Sequence, residues 1–142
     1  MPVRTAEAVW KGKLPEGQGS MALGSGSYEG PYSFASRFSE GTGTNPEELI
    51  GAAHAGCFSM ALAHMVGQAG YTPERVHTVA RVHIDKVGDG FKITGVELET
   101  DAAIPEIEEQ RFLEIAEAAK KGCPVSQALA GTDIKLRATL AR

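Results

Sequence analysis

A chain of 142 residues, 42% of them apolar, fits one ordinary globular domain spanning 1–142. A net charge of −4 argues against a nucleic-acid binder, which needs a basic face. Neither a membrane-spanning helix nor an apolar signal region is expected, so the default is a cytoplasmic protein.

Residues 3–43 hold eight glycines, from Gly12 to Gly43, and read as short antiparallel strands with turns. Ala6, Ala8 and Trp10 share one face of the first strand. Pro15-Glu-Gly17 and Tyr28-Glu-Gly30-Pro31 supply turn residues. The apolar face of this segment is thin, so it needs a further surface to pack on.

Asn45-Pro46-Glu47-Glu48 is a helix start: Asn45 can cap, proline suits the first helical position, and two acids favour the positive dipole end. The helix is expected to run to about Ala69, with Gly70 as its stop. Leu49 to Val66 is small or apolar on nearly every side, the pattern of a helix buried all round.

Val76 to Val87 alternates as a strand, Gly88-Asp89-Gly90 reads as a hairpin turn, and Phe91 to Ala103 as the return strand. Pro105 is expected to open a second helix, to about Lys121, with Phe112, Ile115, Ala116 and Ala119 inward. Pro124 to Ala130 reads as one or two further helical turns, and Thr132 to Leu140 as a closing strand. The order implies an α+β fold, helices packed on antiparallel sheet.

The chemistry rests on two cysteines, Cys57 and Cys123. Without a Cys-x-x-Cys pair or paired histidines beside them they do not make a zinc site. In a reducing compartment a permanent disulfide is not expected. Inert buried thiols and a transient redox pair both remain open. A reactive thiol needs a nearby cation. His54, three residues before Cys57, shares its helix face, as either a thiolate partner or a space filler. Lys120 and Lys121 complement the helix dipole. Arg37, between Phe34 and Phe38 on an expected strand, reads as a solvated arginine or as a functional one. Glu47 alone is explained by the helix dipole.

The run Gly43-Thr44-Asn45-Pro46-Glu47-Glu48-Leu49-Ile50-Gly51-Ala52-Ala53-His54-Ala55-Gly56-Cys57-Phe58-Ser59-Met60-Ala61-Leu62 resembles the first cysteine motif of the OsmC/Ohr family. Lys121-Gly122-Cys123-Pro124-Val125-Ser126 resembles the second. His54 and Val125 look like the OsmC branch. The resemblance implies an OsmC-like fold, with antiparallel sheets around a long central helix and a second helix, in an intertwined homodimer. It implies a thiol-dependent peroxidase acting on organic hydroperoxides. Cys57 matches the peroxidatic cysteine, Cys123 the resolving one and Glu47 the family glutamate. Arg37 is the best match for the partner arginine, with Lys11 and Lys13 of the first hairpin as alternatives. Gly56 stands where the family commonly has alanine. No metal, haem or flavin is implied. An external dithiol, with a lipoyl-bearing protein as one implied type, would recycle the cysteines. Nucleic acid and membrane are not expected partners. A small-molecule binding module or a redox sensor on the same fold is the alternative.

One constraint follows from helix geometry alone. Ten helical residues separate Glu47 from Cys57 by roughly 15 Å. Either the helix is interrupted or Glu47 serves the Cys57 of another subunit.

Overall fold

Glycine and aromatic residues set the first sheet. The computed structural model describes residues 1–141, and its chain forms two compact units, Met1–Leu49 and Ile50–Arg142.

In the first unit, β1 (Ala6–Lys11), β2 (Gln18–Leu23) and β3 (Glu29–Tyr32) form an antiparallel sheet in that order. Trp10 and Tyr32 lean together across β2 with ring centroids 5.4 Å apart. Gly19 lies beneath them, and a Cβ there would come within 2.6 Å of both rings. Next comes a short helix, α1 (Phe34–Phe38), where a strand was expected around Arg37. A capping box turns the chain: Ser36 N–H donates to Ser33 Oγ at 3.1 Å, and Ser33 N–H to Ser36 Oγ at 2.8 Å. Asn45 then caps α2 (Pro46–Gln68), its Oδ1 accepting from Glu48 N–H at 2.8 Å. Its amide also donates to Ser36 O at 3.0 Å, tying the start of α2 to α1.

In the second unit, β4 (Arg75–Val87) and β5 (Gly90–Ala103) pair antiparallel, with an irregularity between His83 and Ile84. β6 (Asp133–Leu140) lies beside β5 in parallel, so the sheet is mixed and not antiparallel throughout. The cause is the crossover through α3 (Glu109–Gly122) and α4 (Pro124–Ala128), which carries the chain back to the end of the sheet where β5 began. α3 starts at Glu109 and not at Pro105. Glu106 has φ 73, which breaks any helix there, and the turn it makes precedes Ile107, which is buried in the core.

Phe58, Leu62 and Val66 of α2 pack with Val96, Leu98 and Ala102 of β5 and with Phe112, Ile115, Ala116 and Ala119 of α3. Val76, Ala80 and Val82 of β4 border this core. A polar ladder, Ser59–Thr78–Thr100, with oxygen separations of 2.8 and 3.0 Å, pins α2 to the sheet. The outer face of the sheet carries ion pairs such as Arg75–Asp101 and Arg81–Glu99.

The helix expected to be buried all round is buried on one side only. Ala52, Ala53, Gly56, Met60, His64 and Gly67 are exposed, Met60 at 76%. Leu49 to Gln68 contains no Asp, Glu, Lys or Arg. By length and composition α2 could therefore cross a membrane, against the sequence expectation. Its buried side forms the core of a folded unit, which accounts for Phe58, Leu62 and Val66.

Candidate active site

The four site residues named from sequence fall into two pairs, one in each compact unit.

The first pair is Arg37 and Glu47. Arg37 Nε donates to Glu47 Oε1 at 3.0 Å and Nη2 to Oε2 at 2.9 Å. This is the two-pronged geometry that a guanidinium and a carboxylate favour. The glutamate side chain is 8% exposed and the arginine 34%, so a buried carboxylate is neutralised by a cation that still reaches solvent. The guanidinium also lies 5.2 Å from the centroid of the Phe38 ring, close enough for a cation–π contact. The α1 capping box and the Asn45 bridge hold both residues in place.

The second pair is Cys57 and Cys123, both free thiols. Cys57 sits mid-helix on α2, half-buried. Cys123 is fully buried at the junction of α3 and α4. Its N–H donates to Ala119 O at 2.9 Å, ending α3, while its C=O accepts from Gln127 N–H at 3.0 Å, starting α4. Pro124, at the first position of α4, fits that start. The two thiols lie near enough for each to shift the acidity of the other.

Their acidities are pushed apart. Burial raises the Cys57 thiol, the hydrogen bond to Cys123 raises it further, and the Val125 N–H works the other way. At Cys123 burial also works upward. The Cys57 hydrogen bond, the Ser126 N–H and hydroxyl, and the Val125 N–H outweigh it, and the thiol ends below its ordinary value. The start of a helix commonly has this effect on a cysteine. None of these influences on Cys57 is a cation.

His54, the other candidate from sequence, is completely buried. Its Nε2 is 2.7 Å from Ser126 Oγ, and burial lowers its pKa below the ordinary 6.5. A histidine in this state is neutral near pH 7 and is not the cation for Cys57. Lys120 pairs with Glu117 at 3.0 Å, in keeping with a role at the helix end. Lys11 and Lys13 are exposed. Ser126 is the residue that sequence reasoning passed over. Its one signal was its place three residues after Cys123, on the same side of the first turn of α4. Among the described residues no group of His, Cys, Asp and Glu could hold a metal ion.

A family model described as OsmC-like protein matches residues 39–137. The sequence is 49% identical over 127 residues to peroxiredoxin OsmC of Escherichia coli (strain K12), covering 89% of each chain. It is 34% identical over 97 residues to organic hydroperoxide resistance protein OhrB of Bacillus subtilis (strain 168), covering 67% of this chain and 69% of that one. The crystal structure of that Bacillus subtilis protein matches with a TM-score of 0.71 at 26% identity, over 96% of this chain and 98% of that chain. An organic hydroperoxide resistance protein OsmC from Legionella pneumophila matches with a TM-score of 0.73 at 25% identity, over 98% and 99%.

Proposed function

Because the chain belongs to the OsmC-like protein family, we propose that it reduces organic hydroperoxides to alcohols through Cys57. It is a cysteine-based peroxidase. The observation that supports the mechanism is that two free thiols, Cys57 and Cys123, lie near enough to shift each other's acidity.

The Cys57 thiolate attacks the distal oxygen of the hydroperoxide. The O–O bond breaks, the alcohol leaves with a proton, and Cys57 becomes a sulfenic acid. Cys123 condenses with it, an S–S bond forms and water departs. An external dithiol, for which a lipoyl-bearing protein is one candidate, then restores both thiols by exchange. The cycle runs in the cytoplasm.

Cys57 needs a cation, because burial and Cys123 both disfavour its charge. Arg37 supplies it, held by Glu47. α2 is unbroken from Pro46 to Gln68, which removes the interrupted-helix alternative. Glu47 is therefore about 15 Å along the helix from the Cys57 of its own chain. A homodimer resolves this: Arg37 and Glu47 of one protomer serve Cys57 of the other. The exposed apolar side of α2 is the face a second copy covers.

The test is turnover. The reduced protein, given cumene hydroperoxide and a dithiol, is expected to release alcohol catalytically and to form a Cys57–Cys123 disulfide. Binding of the hydroperoxide without alcohol release would leave only the small-molecule binding reading.

A further inference from the structure

The buried pair His54 and Ser126 has no part in the cycle above, yet it joins the two segments that carry the cysteines. His54 lies one helical turn before Cys57 on α2. Ser126 lies one turn after Cys123 on α4. The two are 72 residues apart in sequence and 2.7 Å apart in space, and both are buried. Their hydrogen bond ties α4 to α2 within one helical turn of each cysteine. It fixes the register of α4 against α2.

The proton placement follows from counting donors. Ser126 has one O–H to give, and its hydroxyl is among the groups that lower the Cys123 thiol, the effect of an O–H turned toward the sulfur. Its oxygen must then accept from His54, which makes His54 the Nε2–H tautomer. Nδ1 is left as a bare lone pair, and among the described residues it has no hydrogen-bond partner. A buried unpaired lone pair is easier to tolerate than a buried unpaired N–H. The opposite tautomer would bury an unsatisfied donor and take the serine proton away from Cys123.

We propose that His54 and Ser126 are positioning residues for disulfide formation: His54 Nε2–H orients Ser126, whose hydroxyl holds Cys123 Sγ against Cys57 and supports its negative charge. This rests on the reading of Cys123 as the resolving thiol. In the step they assist, Cys123 sulfur attacks Cys57 sulfur. The S–O bond of the sulfenic acid breaks as the S–S bond forms, and the Cys123 proton leaves with the hydroxyl as water. Cys123 is oxidised and the sulfenic sulfur is reduced, with no other reactant.

The experiment follows both steps after one equivalent of cumene hydroperoxide. Alcohol release reports attack by Cys57, and the lifetime of dimedone-trappable sulfenic acid reports resolution. Ser126→Ala is expected to release alcohol at the wild-type rate but to prolong the sulfenic acid by about tenfold or more, the worth of one hydrogen bond to a charged group. Ser126→Thr, which keeps the hydroxyl, should restore resolution. His54→Gln, which keeps a donor near the Nε2 position, should resolve faster than His54→Leu. Unchanged sulfenic acid lifetime in Ser126→Ala overturns the proposal, as does an equal slowing of both steps, which would mark a purely structural role. Failure of the parent reading shows separately, as a wild-type protein that forms no Cys57–Cys123 disulfide.

Discussion

Arg37 and Glu47 meet edge to edge, with contacts of 3.0 and 2.9 Å, and the carboxylate is the more deeply buried partner. The pairing uses Nε and Nη2, which leaves Nη1 as the guanidinium group for another anion. Removing the arginine has two consequences. Breaking a fully buried pair costs ~3–5 kcal/mol. Solvent around the one-third exposed arginine reduces this, so Arg37→Ala should lose about 1–3 kcal/mol in denaturant unfolding. It should also slow alkylation of Cys57 near neutral pH, about tenfold for each pKa unit of lost thiolate support. Unchanged alkylation would pass the activating role to Lys11 or Lys13.

The two cysteines should fail differently. Cys57→Ser removes the attacking sulfur and should abolish hydroperoxide turnover. Cys123→Ser keeps the first step, so it should release one equivalent of alcohol and stall as a sulfenic acid. Mass spectrometry after a single equivalent of peroxide distinguishes the two. Retained turnover in Cys57→Ser would falsify the mechanism.

The parts of this fold that local sequence chemistry controls were legible. Asn45-Pro46-Glu47-Glu48 announced α2, the alternation of β4 announced its inner face, and Phe112, Ile115, Ala116 and Ala119 are the buried side of α3. What failed depends on partners distant in sequence or on signals that are easily passed over. Alternating residues in β6 say which face is buried, but not whether its neighbour runs parallel. The Ser33–Ser36 capping box that makes α1 a helix was present in the sequence, but the aromatics around Arg37 suggested a strand. At the site, the cysteine motifs and the Arg37–Glu47 pairing came from family resemblance. His54 read from sequence as either a thiolate partner or a space filler. Burial and a serine 72 residues away make it a neutral hydrogen-bonding group.

The exposed side of α2 makes the homodimer testable without disturbing the subunit. Met60 is 76% exposed, so Met60→Glu should change the stability of an isolated subunit by no more than about 0.5 kcal/mol. In a dimer that covers this face the same change buries an unpaired charge and should drive dissociation. Sedimentation at micromolar concentration should give a wild-type dimer and a Met60→Glu monomer, with peroxidase activity lost alongside. Gly56→Ala offers a gentler probe, since a Cβ there meets nothing of its own chain within 4 Å. A wild-type protein that sediments as a monomer would remove the proposed site between protomers.

His54 should make stability depend on pH in a defined direction. Its folded pKa lies below the ordinary value of 6.5, because burial disfavours the imidazolium. Between those two values the unfolded chain binds more protons than the folded one, so stability rises with pH across that window. The contribution is complete above about pH 6.5 and is lost progressively as the pH falls below it toward the folded value. Protonation would also place a second N–H on Nδ1, which has no acceptor among the described residues. Denaturant midpoints of the reduced protein should therefore fall as pH drops below 6.5. His54→Gln, which cannot titrate, should flatten that slope while lowering stability near pH 7 through its altered packing. An equal slope in both proteins would mean that burial does not shift His54 in the fold, and a steeper fall toward high pH in the wild type would mean that the fold favours the imidazolium.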